Sequence, residues 1–316
     1  MLAYIARRLA FAIFLVFAVS SASLVLARLA PGDFVTQTIG LEAGAATLEE
    51  ARARYGLNRS IGEQYRAWIA GAARLDFGRS LLFDRPVADL IPERAANTAI
   101  LAVTALAVAT LIGLPLGVLT GSRRHNLLTG LVRAASLVLL SMPPLLTSLF
   151  LVFAAARTGW LPVGGMSSSS GGGGAGELLR HMVVPVAALA LPLIAMFERL
   201  QSQAMSEVIG QPYMLATLGR GVPLSRAVWR DAFKGALRPV AAVYGLVVGS
   251  LLSGSFAVET ITAWPGLGQL MLAALRARDI YLVAGCAAAG SVFLAIGTLM
   301  SDAALAIVDP RSVDTG

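Results

Sequence analysis

The chain alternates between long apolar runs and polar, arginine-rich interruptions. Leu9 to Leu26 forms the first run, and five more cover about residues 97–121, 131–156, 182–200, 239–260 and 281–304. An α-helix needs about 20 mostly apolar residues to cross the hydrocarbon core of a bilayer, and each run is close to that length. The pattern predicts an all-α membrane protein with six transmembrane helices.

Composition supports a membrane protein. Hydrophobic residues make up 57% of the 316 positions and charged residues only 14%, against about 25% charged in soluble proteins. A net charge of +7 would suggest nucleic acid for a soluble chain, but membrane topology accounts for the cations here and no nucleic-acid partner is expected. The single cysteine, Cys286, lies in an apolar run, so an intramolecular disulfide and a cysteine metal site are excluded.

The distribution of arginine and lysine predicts the orientation. Six spans put both termini on one side of the membrane. That side carries Arg7, Arg8, Arg123, Arg124, Arg133, Arg199, Arg220, Arg226, Arg230, Lys234, Arg238 and Arg311, whereas the short loops opposite carry Arg157, Arg180, Arg276 and Arg278. Cytoplasmic loops are enriched in positive residues, so both termini are predicted to be cytoplasmic.

The first apolar run has two interpretations, an uncleaved span or a signal peptide. We favour the uncleaved span, because no clean small-x-small cleavage site is followed by a globular, cysteine-bearing domain. The predicted domains are a head and first span (1–28), an external segment (29–96), a transmembrane domain (97–305, with a cytoplasmic loop at about 205–238) and a cytoplasmic tail (306–316).

Two external stretches differ in character. Leu48 to Ala73 has apolar residues at helical spacing, broken between Gly56 and Ile61, which predicts a small helical cap on the outer face. The stretch SSSSGGGGAG within 157–180 has no Lys-Ser/Thr pair and opens no helix, so it indicates a flexible linker rather than a phosphate-binding loop.

The stretch from Gln211 to Pro239 is the longest basic interruption of the C-terminal half. Pro212 suits a first helical turn, where its missing N–H would be unsatisfied anyway. Residues 213–220 then predict a short helix, and Gly221 predicts a left-handed stop. The loop is predicted to present a short helix, closed at both ends, to a cytoplasmic partner.

A second helix is predicted to begin near Ser225, a good N-cap residue, and to end before Pro239. It carries Arg226, Arg230 and Lys234 at a spacing of four. These cations have an alternative role as an interfacial stripe lying on anionic lipid.

Small residues recur at every fourth position in two spans. They are Gly113, Gly117 and Gly121 in the second span, and Gly245, Gly249 and Ser253 in the fifth. Such faces let helix backbones approach closely inside a membrane. They predict helix packing, either within the chain or against a partner subunit.

Chemistry-bearing residues are sparse. Glu198, Arg199, Glu259 and Asp302 lie near predicted span ends and are interpreted as boundary residues that reach an interface. A proton-coupled carrier usually needs an acid at mid-span, and none is found. The catalytic and phosphate-binding motifs that would indicate an enzyme are absent from the sequence, so neither an enzyme nor a cofactor in this chain is expected.

Motifs along nearly the whole chain resemble one family, the inner-membrane permease subunits of ATP-binding-cassette importers for dipeptides, oligopeptides and nickel. The matching stretches are Ala30-Pro31-Gly32-Asp33, Tyr55-Gly56-Leu57, Asp76-Phe77-Gly78-Arg79-Ser80, Ser141-Met142-Pro143-Pro144, Gly159-Trp160-Leu161-Pro162, Val258-Glu259-Thr260, Trp264-Pro265-Gly266-Leu267-Gly268 and Asp309-Pro310-Arg311. The resemblance implies the type I importer permease fold.

The resemblance also implies that the cytoplasmic loop is the coupling element, or EAA loop, which docks on an ATPase subunit. The residues it assigns to coupling are Tyr213, Ala216, Thr217, Leu218, Gly219, Arg220 and Gly221. The sequence departs from the family pattern at Gly219, where alanine is usual, at Gln211-Pro212, where an acidic residue often stands, and at Pro223.

The implied complex contains a second, similar permease, two ATPase subunits that bind ATP and magnesium, and an external solute-binding protein, all at a bacterial inner membrane. This chain would form half of a path for short peptides. A nickel chelate or glutathione is the alternative substrate, and a proton-driven carrier or channel is the alternative class. Segment 29–96 and the loop Trp264, Pro265, Gly266, Leu267 and Gly268 are candidates for contacting the binding protein, or else they brace the permease.

Overall fold

The structure is a computed structural model that describes residues 2–39, 45–122, 126–167 and 174–308. Its helices are α1 (Leu2–Leu29), α2 (Phe34–Ile39), α3 (Ala45–Arg54), α4 (Ile61–Ala72), α5 (Val87–Ser122), α6 (Leu127–Ser141), α7 (Pro144–Thr158), α8 (Ala175–Ile209), α9 (Pro212–Gly219), α10 (Leu224–Arg226), α11 (Phe233–Ala236), α12 (Arg238–Ile261), α13 (Leu267–Arg276) and α14 (Ile280–Val308), with a π-helical turn at Ala227–Ala232. Arg123, Arg124, most of the serine–glycine linker and Asp309-Pro310-Arg311 lie outside the described residues.

The all-helical, multi-pass prediction is confirmed. Within the described ranges, five helices are long and apolar enough to cross a membrane, at Ala6–Leu29, Val87–Ser122, Ala175–Ile209, Arg238–Ile261 and Ile280–Asp302. The pair α6 and α7 passes the same test together and supplies the sixth predicted span, but the two helices meet at an angle of 107°. Together these spans reproduce the six apolar runs of the sequence.

The break between α6 and α7 has a local cause. Met142 is extended, with φ −96° and ψ 116°, because a residue before proline is pushed out of the α region. Pro143 caps α7, and Pro144 occupies its first turn. The run predicted as one span at 131–156 is therefore two 15-residue helices.

Two compact units divide the chain, residues 1–99 with 265–295 and residues 100–264 with 296–316. The first contains the predicted helical cap, α3 and α4, separated at Gly56, which has φ +66°. Helix α4 begins with a capping box in which Ser60 accepts from the backbone of Glu63 and Glu63 accepts from the backbone of Ser60. The prediction of a small helical segment between the first and second spans is confirmed.

Asp33 fixes the start of the segment that follows the first span. Its Oδ1 accepts from the backbone N–H of Thr36 at 2.8 Å, and its Oδ2 accepts from Arg52 Nε at 2.7 Å. Burial raises the pKa of Asp33, but these hydrogen bonds and the nearby Arg52 charge outweigh it, so the pKa lies below its ordinary value of 3.8. The carboxylate thus ties α2 to α3 in its charged form.

Asp279 organises the other end of the same unit, and the sequence analysis missed it. The side chain is fully buried, and its Oδ2 accepts from the Ser80 hydroxyl at 2.6 Å and from the Leu82 backbone at 3.0 Å. Its Oδ1 accepts from the backbone of Leu282, in the first turn of α14. An aspartate three residues before Leu282, at the start of an apolar run, was the available N-cap signal.

The second unit is built around α8, which is about 52 Å long. Its middle is buried on most sides by a core that includes Leu101, Ala105, Leu189, Phe197 and Trp264. Gly113, Gly117 and Gly121 of α5 face α8 closely: a Cβ added at Gly113 would lie 2.9 Å from Phe197 Cβ, one at Gly121 would meet the backbone of Ser202, and one at Gly117 would lie 2.7 Å from the Glu198 carbonyl. This glycine face packs within the chain.

The second small-residue face is on α12. Gly245 is buried, and a Cβ added there would lie 2.7 Å from Ser301 Cβ. Gly249 is half-buried. The side chain of Ser253 lies outside the described part of the chain.

The interpretation of Glu198 and Glu259 as residues that reach an interface is wrong. Glu198 is 1% exposed and Glu259 is fully buried. Helix α8 continues to Ile209, nine residues past the predicted span end at 200, so Glu198 lies inside the helix. Its Oε1 accepts from the Thr120 hydroxyl at 2.6 Å, which offsets part of the cost of burial.

Alanine at Gly117 is expected to destabilise the protein by about 1–3 kcal/mol, because the added Cβ would lie 2.5 Å from Gln201 Cβ. Alanine at Gly130 is the matched control: this exposed glycine of α6 has no atom within 4 Å of an added Cβ, and removing a helical glycine stabilises by about 0.5–1 kcal/mol. Thermal unfolding of both variants in detergent tests this. Equal effects of the two changes would contradict the close α5–α8 contact.

Asp33→Asn is expected to lower stability by at most about 1 kcal/mol at neutral pH, because a partly exposed ion pair is lost. Asp33 contributes fully above its unfolded pKa, and this contribution is lost as pH falls through the lower folded pKa. The difference in melting temperature between the two proteins should therefore shrink as the pH falls below the ordinary carboxyl pKa of 3.8. Glu49→Gln, at an exposed position, is the control, and a loss of stability at neutral pH equal to that of Asp33→Asn would contradict the link between α2 and α3.

Candidate functional site

Helix α9 is fixed at both ends. Gln211 is its N-cap and Pro212 lies in its first turn. At the other end, Gly221 has φ +81° and donates its N–H to the Leu218 carbonyl at 2.9 Å. The predictions for Pro212, for a helix at 213–220 and for a left-handed Gly221 are confirmed to within one residue.

The inner side of α9 packs against the end of α8. Met214 is fully buried and Thr217 is 7% exposed. Met214 belongs to a small apolar cluster with Val118 of α5, Ala204 and Met205 of α8, and Ala227, Val228, Ala232 and Ala236 of the following helical turns. The short helix is therefore seated on the ends of α5 and α8 rather than lying free.

The outer side of α9 is exposed and apolar. Tyr213 is 48% exposed and Leu215 is 63% exposed. Of the other residues assigned to coupling, Ala216, Gly219, Arg220 and Gly221 are exposed, whereas Leu218 is half-buried. Helix α9 has eight residues and leaves Tyr213 and Leu215 exposed, while Met214 and Thr217 on its other side are buried. An exposed apolar surface of this kind is suited to a protein partner.

Thr217 does not lie on this surface. Its hydroxyl donates to the Tyr213 carbonyl at 2.9 Å and accepts from Arg220 Nη2 at 3.1 Å. Thr217 thus positions Arg220 from the inner side of the helix.

The second helix differs from its prediction. It begins at Leu224 with Pro223 as the N-cap, so Ser225 is not the cap, and it passes through a π-helical turn before α11. Pro223 fixes an extended backbone one residue before the helix, which leaves Ser225 already inside it. Arg226, Arg230 and Lys234 are all exposed.

Two exposed apolar residues that follow α9 were not predicted from the sequence. Leu224 is 57% exposed and Trp229 is 47% exposed, with the Trp229 ring 6.3 Å from that of Phe233. Large apolar residues within a basic, polar stretch were the available signal. We define the coupling surface as Tyr213, Leu215, Ala216, Gly219, Arg220, Gly221, Leu224 and Trp229.

The loop assigned to binding-protein contact is turned inward. Trp264 is fully buried, and Leu267 is 6% exposed. Gly266 and Gly268 are also buried, and Pro265 is half-buried, with its carbonyl accepting from Asn97 Nδ2 at 2.8 Å. The Leu267 N–H donates to the Thr98 hydroxyl. These contacts favour the bracing alternative.

Comparison with known proteins identifies the family. Residues 113–314 match the binding-protein-dependent transport system inner membrane component, and residues 1–102 match the N-terminal part of the membrane components of such systems. The chain belongs to this family, as the motifs predicted. It is a multi-pass membrane protein and a permease component of a transport system, not an enzyme.

Relatives match over their full length. The oligopeptide transport system permease protein AppB of Bacillus subtilis is 30% identical over 98% of this chain and 99% of its own. A putative peptide permease of Brucella suis is 30% identical with the same coverage. The glutathione transport system permease protein GsiC of Shigella flexneri is 28% identical over 98% of each chain.

Proposed function

We propose that the chain is one of two transmembrane subunits of an ATP-driven importer of short peptides. It pairs with a second permease to enclose the path, two ATPase subunits bind ATP and magnesium at the cytoplasmic face, and an external binding protein delivers the peptide. The peptide assignment is supported by relatives named as oligopeptide and peptide permeases. Glutathione is the alternative within the family, supported by the glutathione permease relative.

The observation that carries this proposal is the coupling surface. Leu215 and Tyr213 are exposed on a helix whose opposite side is buried in the apolar cluster of Met214. A helix closed by Pro212 and Gly221 and seated on α8 moves as a rigid body. Closure of the ATPases would therefore shift α8 directly. The excess of arginine and lysine near one set of span ends predicts cytoplasmic termini. The same orientation would put the coupling surface on the cytoplasmic side, where the ATPases bind.

Leu215→Glu is expected to weaken ATPase binding at least tenfold, because it places a charge in an apolar contact and removes about 2 kcal/mol of burial. Pull-down after mild detergent extraction measures the ATPase subunits retained. Leu75→Glu is the matched control, since Leu75 is 76% exposed in the predicted external segment. Full ATPase retention by Leu215→Glu, or equal loss in both variants, would overturn the assignment of this surface.

Gly221→Val is expected to uncouple ATP hydrolysis from uptake while expression stays normal. A β-branched residue at φ +81° costs about 1–2 kcal/mol, so the end of α9 should shift although an added Cβ has open space. ATPase rate and peptide uptake are measured together in proteoliposomes.

Gly219→Ala is the control for that experiment. Gly219 also has open space around an added Cβ, but it is helical, so alanine introduces no strain. Coupled uptake by both variants would contradict the role assigned to the end of α9.

A further inference from the structure

A polar groove lies between α6 and α8, beside the end of α5, and none of its lining residues belongs to the coupling surface. Its volume is about 320 Å³. The residues that line it are Arg133, Ser136, Leu137, Glu198, Arg199, Ser202, Gln203 and Ser206. None of these residues is assigned to coupling or to contact with the binding protein.

Two nearly buried hydroxyl groups in the groove lack partners. Ser136 is 7% exposed and Ser202 is 8% exposed, and neither makes a hydrogen bond within the described ranges. Ser141 and Ser206, on the same two helices, instead donate to backbone carbonyls one turn back. Both hydroxyls line the groove and have no partner in the described chain, so each can donate a hydrogen bond to a ligand with acceptor oxygens.

The charges of the lining favour an anion. Arg133 Nη2 donates to the Thr120 carbonyl at 2.7 Å, which holds this guanidinium at the groove. Arg199 is exposed and makes no hydrogen bond or ion pair in the described chain. The carboxylate of Glu198 also lines the groove, but its Oε1 already accepts a hydrogen bond from the Thr120 hydroxyl. Two guanidinium groups against one carboxylate leave the groove positive.

The position of the groove along α8 favours a lipid headgroup over a transported peptide as its ligand. Polar residues of α8 line the groove from Glu198 to Ser206, and the residues before them, such as Ala195 and Met196, are apolar. On α8, the polar lining therefore ends at Glu198 and does not continue along the helix into its apolar part. The neighbouring side of α6 exposes Leu137 and Val138 instead, at 53% and 61%. This places the groove at the boundary between apolar core and water.

We propose that the groove binds the phosphate of an anionic phospholipid. Arg199 supplies charge, the hydroxyls of Ser136 and Ser202 donate to phosphate oxygens, and an acyl chain follows Leu137 and Val138. Basic pockets between membrane helices are suited to such headgroups. The lipid would belong to the cytoplasmic leaflet, and this point alone rests on the orientation given in the proposed function.

The test is native mass spectrometry of the full chain, purified in mild detergent with the subunits that accompany it. Phosphatidylglycerol or phosphatidylcholine is added at equal concentration. The groove variant combines Ser136→Ala, Ser202→Ala and Arg199→Gln. Its occupancy by phosphatidylglycerol should fall about tenfold, with little change for phosphatidylcholine. Arg66→Gln, which removes an exposed cation of α4 that belongs neither to the groove nor to the basic stripe of Arg226, Arg230 and Lys234, should bind like the unmodified protein.

The remaining outcomes decide against the site. Unchanged phosphatidylglycerol binding by the groove variant, or an equal loss in Arg66→Gln, would overturn it. Inorganic phosphate that displaces the lipid at matched concentration would assign the groove to free phosphate instead. The lipid-free melting temperature of the groove variant should not fall, because its three changes remove groups without a partner in the described chain, so lost binding would not reflect misfolding. Transport is not measured, so the result stands apart from the proposed function.

Discussion

The close approach of α5 to α8 is the contact on which the second compact unit depends. Apolar surface gains little by leaving lipid for a protein interior, so helices in a membrane associate through tight packing and hydrogen bonds. Gly113, Gly117 and Gly121 bring the α5 backbone to van der Waals distance from the α8 backbone. The bond from Thr120 to Glu198 lies at the same contact and satisfies a buried carboxylate.

This contact also supports the coupling surface. Val118, one residue beyond Gly117, packs in the same cluster as Met205 of α8 and Met214 of α9. The short helix α9 is therefore joined to two long helices through side chains buried to within a few per cent. A force on its outer face would act on α5 and α8 together, because a packed core shifts as a body rather than deforming continuously.

Differences between prediction and structure have identifiable causes. Two adjacent prolines turned one apolar run into α6 and α7, since hydropathy measures length and not direction. Glu198 and Glu259 were interpreted as boundary residues because they lie near predicted span ends. Their burial depends on the neighbouring helices, which span length does not specify. The loop of Trp264 was a candidate either for contact with the binding protein or for bracing the permease, and the burial of Trp264, which no local pattern specifies, favours bracing. Asp279 was overlooked because its partners, Ser80 and Leu82, are almost 200 positions away in the chain.

The sequence by itself determined the all-helical membrane class, the family, the glycine face of α5 and the ends of α9. These follow from local rules, because span length, small-residue spacing, proline and left-handed glycine act within a few residues of themselves. Tertiary structure alone decided that residues 1–99 form one compact unit with 265–295, that Thr217 points inward while Leu215 and Trp229 remain exposed, and that Ser136 and Ser202 share a groove. The physical reason is that burial and hydrogen bonding depend on helix rotation and on partners distant in sequence, which no local pattern specifies.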